Sequence, residues 1–234
     1  MKDNIENKNI GNRKFIIELR YAPIVSMLDK RGQITNAVEN TNCFSTFHWE
    51  INPGEVTIRD HAEKEKSKNI IFVTFNRFSF ISYKVDSIES FFNHFKKAYD
   101  AIASVLGNMI IQRIGCRIIG TYKVRSKDFT SILTHFKEAF PSNIFMEKYP
   151  AKDLSFTLIY ENGMYRIGPI NVDDNFYNEE FNLGECEKHV GIAIDTDNYL
   201  TNEIKEINDK SLIKDIYALS LAVEKELYSN LAEF

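Results

Sequence analysis

The sequence predicts an α+β protein built mainly on antiparallel sheet, and three observations carry that prediction. Several short segments alternate apolar and polar residues, the period of a strand. The chain has 18 Phe and 11 Tyr, side chains that fill pleated surfaces well. Longer segments instead repeat apolar residues every three or four positions, as an amphipathic helix does.

Residues 14–22 open the series. Phe15, Ile17, Leu19 and Tyr21 point one way, and Lys14, Ile16, Glu18 and Arg20 the other. Pro23 ends the strand because it has no amide for the ladder. Residues 24–40 read as one or two short helices broken near Gly32. Phe44–Ile51 and Val56–Arg59 flank Asn52-Pro53-Gly54, a strong turn signal. The charged stretch His61–Lys68 reads as an exposed loop. Ile70–Phe75 and Phe78–Val85 flank a tight hairpin at Asn76-Arg77.

A helix follows, with Asp86 or Ser87 as its cap and Glu89 completing a capping box. Ile88, Phe91, Phe92, Phe95, Tyr99, Ile102 and Leu106 form its stripe, and Gly107 stops it. The order then begins again. Met109–Lys123 is a long strand. Ser126 opens a helix carrying Phe129, Ile132, Leu133, Phe136 and Phe140. Ile144–Glu147 is a short strand, and Leu154–Tyr160 and Met164–Ile170 flank the Asn162-Gly163 turn signal. His189–Ile194 is a strand, and a last helix carries Leu212, Ile216, Leu219, Val223 and Leu227.

This order divides the chain into a disordered N-terminal tail at 1–12, a first α+β half at 13–124 and a second at 125–234. The two halves are expected to share one curved antiparallel sheet covered by two long helices, because each apolar stripe must be buried against something. At 234 residues the chain is long enough for one compact unit without disulfide staples.

Composition narrows the function classes. Cys43, Cys116 and Cys186 are an odd, sparse set without metal spacing, which points to a reducing cytoplasm. No segment approaches a membrane span of about 20 apolar residues. The net charge of −4 gives no overall basic bias toward nucleic acid.

Residues 109–125 look least like plain core. Sorted by parity, one face holds Ile110, Gln112, Ile114, Cys116, Ile118 and Tyr122. The other holds Arg113, Gly115, Arg117, Ile119, Thr121, Lys123 and Arg125, four cations around a glycine that offers backbone access. Either these cations pair with acids on neighbouring strands, or they bind an anion such as a carboxylate or a phosphate backbone. Pairing with strand 14–22 brings Arg20 and Lys14 to the patch, with Glu18 as counter-charge.

Three segments carry a resemblance: Glu18-Leu-Arg-Tyr-Ala-Pro-Ile24, Arg113-Ile-Gly-Cys-Arg117, and Gly191-Ile-Ala-Ile-Asp195 before a long terminal helix. Together they resemble an uncharacterised, sporadically distributed bacterial protein family with a central Arg-Ile-Gly-x-Arg strand and a late strand ending in Asp. That family follows the second Arg with Tyr-Asn, where this chain has Ile118-Ile119. The resemblance implies an architecture and a prokaryotic origin, and its patchy distribution implies an accessory or antiviral defence setting. The element order also resembles a duplicated TATA-box-binding-protein-like arrangement, a likeness of fold that carries no DNA binding with it.

Other chemistry is thin. Asp195 and Asp197 at a strand end are the weak metal alternative, since two carboxylates begin a magnesium site. Cys186 and His189 make a single Cys-x-x-His where a closed zinc site needs four ligands. No nucleophile elbow, Walker loop or dinucleotide fingerprint occurs, and no cofactor is expected. The reading is therefore a non-enzymatic, cytoplasmic interaction protein that engages a protein partner and no membrane. The first alternative is a nucleic-acid or anion-binding module built on Arg113, Arg117, Lys123, Arg125 and Arg20. The second is a metal-dependent enzyme.

Overall fold

The computed structural model describes residues 5–83, 85, 87–139, 153–181, 186–204 and 210–233. The first half runs β1 (Ile10–Tyr21), α1 (Arg31–Glu39), β2 (His48–Asn52), β3 (Glu55–Arg59), β4 (Asn69–Thr74), β5 (Arg77–Ser82) and α2 (Ile88–Leu106). The second runs β6 (Ile111–Tyr122), α3 (Phe129–Ala139), β7 (Phe156–Tyr160), β8 (Gly163–Ile170), β9 (Gly191–Ile204) and α4 (Lys210–Leu231).

All nine strands form one curved, unclosed antiparallel sheet in the order β2-β3-β4-β5-β1-β6-β9-β8-β7. The two opening strands, β1 and β6, lie side by side at the centre. Each half then adds its remaining strands outward, so the topology repeats about the β1–β6 seam.

The helices occupy one face. Phe15, Ile17, Leu19 and Tyr21 are buried there, as the alternation of β1 requires. Phe91 and Phe95 of α2 meet Phe80 and Phe78 at ring distances of 5.5 and 5.6 Å. Ile34 and Val38 of α1 join the same core, Phe136 of α3 stacks on Phe156, and Tyr217 of α4 packs on Phe15. Fully burying one such side chain contributes roughly 1.5–3 kcal/mol, so these stripes set which face is covered. Ser87 caps α2 by accepting from the Ser90 amide, and Gly107 stops it at a φ of +83°.

Several expectations need correction. Asn7–Asn9 form a 3-10 turn, β1 begins at Ile10, and Ile5 is buried. Residues 5–12 therefore belong to the fold rather than to a tail, because the amide of Lys123 bonds the carbonyl of Asn9. Gly32 lies inside α1, and the break falls between Leu28 and Arg31. The β7–β8 turn is Glu161-Asn162, since Gly163 already pairs with Tyr160. Glu161 carries the positive φ. Gly163 instead makes room for the Tyr165 ring, which a Cβ would strike.

The core side of β6 is also shifted at its start. Ile110 is exposed and Ile111 is buried, because a register irregularity lies between Ile111 and Arg113. On α4 the buried stripe is Ile213, Ile216, Tyr217, Ser220, Glu224, Tyr228 and Leu231, while the expected Leu219 is exposed. The helix is turned that way because Arg13 and Tyr122 hold Glu224 against the sheet. Leu219, Val223 and Leu227 line a groove of about 610 Å³ beside the β7–β8 hairpin instead. The expected strand 144–147, Asp86 and Phe140 lie outside the described residues.

Candidate functional site

Among the described residues no helix packs on the second face of the sheet. Among them only residues 171–181 and 186–190 cross one end of it, where Tyr177 and Phe181 in a π-helical turn cover Ile119 and Ile170. The described residues leave the rest of that face open, and its centre is strongly charged.

The β1–β6 register puts Lys14, Ile16, Glu18 and Arg20 beside Ile119, Arg117, Gly115 and Arg113. Arg113, Arg117 and Arg20 therefore share one face, as alternation predicts. Glu18 is the hub. It accepts from Arg20 Nε at 2.8 Å, from Arg113 Nη1 at 3.2 Å and from the Ser79 hydroxyl at 3.4 Å. Arg77 Nη1 lies 3.8 Å away. The counter-charge expected of Glu18 is thus shared by three guanidinium groups.

Arg113 leans over Gly115 to reach Asp197, with Nη2 3.0 Å from the carboxylate. Its guanidinium also sits 4.6 Å from the centre of the Tyr199 ring, a cation–π distance. Gly115 therefore serves to let Arg113 lie flat, rather than to open the backbone to a ligand. Arg117 forms a fork with Asp195 at 2.8 and 2.7 Å, and this bonding raises the guanidinium further above its ordinary value. Burial lifts Asp197 above the ordinary carboxylate value, opposed by Arg113 and Arg117.

Lys14 does not enlarge an exposed patch. It is buried under residues 177–181, where Nζ bonds the carbonyl and side chain of Glu180 at 2.5 Å. Burial lowers its affinity for the proton, and Glu180 opposes that shift. Lys123 and Arg125 lie at the far end of β6 and pair with Glu187 and Glu233. Nine residue steps of strand separate Arg113 from Tyr122, a span of about 30 Å, so these two cations stand apart from Arg113.

Asp195 and Asp197 do not sit at a strand end. β9 continues to Ile204, because Thr196 and Asn198 point inward and are satisfied there by the Ile118 carbonyl and Ser220. Both aspartates are engaged by arginine, and among the described residues no group of three His, Cys, Asp or Glu is placed to hold a metal ion. His189 spends its ring nitrogens on Val190 and Thr121. Cys43, Cys116 and Cys186 are free thiols, and among the described residues no helix is long and apolar enough to cross a membrane.

Between β3 and β6 the open face sinks into a trough of about 290 Å³. Phe72, Ile16 and Ile81 supply its apolar surface, and Arg20, Arg77, Arg113, Arg117, Glu18, Glu55 and Asp197 its charges. Sequence reasoning missed Arg77, Glu55 and Phe72, which reach the site only through the β1–β5, β4–β5 and β3–β4 pairings. No protein-family model and no curated protein matches the chain.

Proposed function

We propose that the chain is a cytoplasmic, non-enzymatic interaction protein that engages a protein partner on the open face of its sheet. One observation carries the reading: the charges there are of both signs, with Arg113 paired to Glu18 and Asp197, and they lie beside apolar side chains. A mixed polar and apolar surface of that kind suits the core and rim of a protein interface. A polyanion would instead need a continuous basic track. Arg113, Arg117, Lys123, Arg125 and Arg20 offer none, since each faces a carboxylate. The free thiols support a reducing compartment. The accessory or defence setting rests on the bacterial family resemblance alone.

The test is site-specific photo-crosslinking in the source cells. Crosslinkers at Phe72 and Glu50, on the open face, are expected to give discrete protein adducts. One at Asn93, exposed on the outer side of α2, is expected to give none. Adducts from Asn93 alone, or from no position, would overturn the reading.

A further inference from the structure

The antiparallel register sets three arginines side by side. Arg77 of β5 pairs with Arg20 of β1, and Arg20 pairs with Arg113 of β6. Like charges directly opposite each other on neighbouring strands oppose folding. The structure relieves this from below. Arg113 bends away over Gly115, and Glu18 sits beneath the row.

The relief is uneven with depth. The side chains of Glu18, Asp197 and Arg113 are 19, 18 and 17% exposed, so they form the floor of the trough. Arg20 and Arg77 are 58 and 42% exposed and form its rim. Among the described residues Arg20 donates only through Nε, to Glu18. Arg77 has its acids, Glu18 and Glu55, at 3.8 Å, beyond hydrogen-bond length. Two guanidinium forks therefore face solvent with most of their donors unspent.

Resting on the partner reading above, we infer that the Arg20–Arg77 pair docks an acidic peptide segment of that partner. A carboxylate arriving from solvent meets the two forks first and is taken in the bidentate geometry that guanidinium groups favour. The aliphatic stem of a Glu would lie toward Phe72 and Ile81, which line the same trough. A run of phosphates fits less well, because a phosphodiester backbone has no aliphatic stem to lay on Phe72 and Ile81.

The experiment is fluorescence anisotropy of the full chain with a fluorescein-labelled hexaglutamate peptide, at low and at physiological salt. An oligothymidylate of twelve nucleotides is the second probe. Saturable peptide binding is expected, weakened about tenfold or more by Arg20→Ala with Arg77→Ala, the value of one good charge-assisted pair. Arg20→Lys with Arg77→Lys should fall between, because lysine keeps the charge and loses the fork. Lys123→Ala with Arg125→Ala should change nothing. Circular dichroism checks that each variant is folded.

Absence of saturable peptide binding overturns the inference, as does an equal loss in the Lys123/Arg125 variant. Tighter oligothymidylate binding that displaces the peptide from the same pair overturns it as well. Should peptide binding fail while Phe72 still crosslinks a partner, the inference falls and the partner reading stands.

Discussion

Arg117 donates from two nitrogens to both oxygens of Asp195, and the pair is diagonal: in register Arg117 faces Asp197, while Asp195 faces Ile119. Asp195 is nearly buried, so removing its partner leaves a carboxylate with little water to replace it. We predict that Arg117→Met and Asp195→Asn each destabilise the fold by about 2 kcal/mol, within the range for hydrogen bonds to charged groups. Urea unfolding of both single variants and the double variant reads the coupling. A coupling of about 1–2 kcal/mol is expected for residues in direct contact. Additive losses would mean that the fork contributes nothing.

Glu18 is the second point of control. It is the shared acceptor for Arg20 and Arg113 and, with Glu55, one of two acids 3.8 Å from Arg77 on the same face. We predict that Glu18→Gln lowers stability by about 1–2 kcal/mol, because the three-arginine row then faces itself. The loss should grow as salt is lowered, since screening shields like charges. The same variant should gain weak affinity for oligothymidylate, with a steep salt dependence. A variant as stable as the parent at low salt would show that Glu18 is not what neutralises the row.

The central strands were legible because their faces differ in chemistry. Phe15, Ile17, Leu19 and Tyr21 announce one side of β1, and Glu18 and Arg20 the other. The placement of Arg113 and Arg117 on one face followed from parity alone. What parity could not show was a slip: the irregularity at Ile111 exchanges the roles of Ile110 and Ile111. It failed again where polar side chains are buried. Thr196, Asn198, Ser220 and Glu224 break the apolar pattern of β9 and α4, yet each is satisfied inside the core. The trough was the least legible feature. Arg77, Phe72 and Glu55 come to Glu18 through strand pairing, and Glu180 comes to Lys14 through a loop that crosses the sheet. Neither leaves a periodic trace in the sequence.

Gly120 tests the buried side of the seam. The Tyr122 ring lies back over Gly120, and its hydroxyl donates to Glu224, which is almost wholly buried and also accepts from Arg13 Nε at 2.9 Å. A Cβ at position 120 would collide with the Tyr122 ring. We predict that Gly120→Ala costs about 2–4 kcal/mol, combining the strain of an overpacked core with a disturbed buried acceptor. Gly54→Ala is the control, because nothing lies within 4 Å of the Cβ it would add. Thermal unfolding of the two variants side by side decides the matter, and similar melting temperatures would contradict the account.

His189 makes the fold sensitive to mild acid. Its Nδ1 lies 3.1 Å from the Val190 carbonyl, so the proton must be on that nitrogen. Nε2 lies 3.1 Å from the Thr121 hydroxyl. That hydroxyl already accepts from the Asn12 amide and side chain, and it spends its own proton on His189. A second proton on the imidazole would meet an oxygen with no lone pair left to offer. Burial lowers the histidine below its ordinary value of 6.5, and nearby Lys123 adds to this while Glu187 and the Val190 carbonyl oppose it. The folded state thus takes up the proton less readily than the unfolded chain. Stability from this site is complete above about pH 6.5 and declines as pH falls below it, toward the folded value. We predict a steeper loss of urea stability between pH 7.5 and pH 5.5 in the parent than in His189→Asn, which cannot titrate. Tyr177 brackets the His189 backbone, its hydroxyl donating to the carbonyl at 2.6 Å and accepting from the amide at 3.0 Å. Acid should therefore loosen residues 177–181 and 186–190 first, read as faster amide exchange there than in β1 or β6. Parallel pH profiles for the two proteins would remove His189 as the cause.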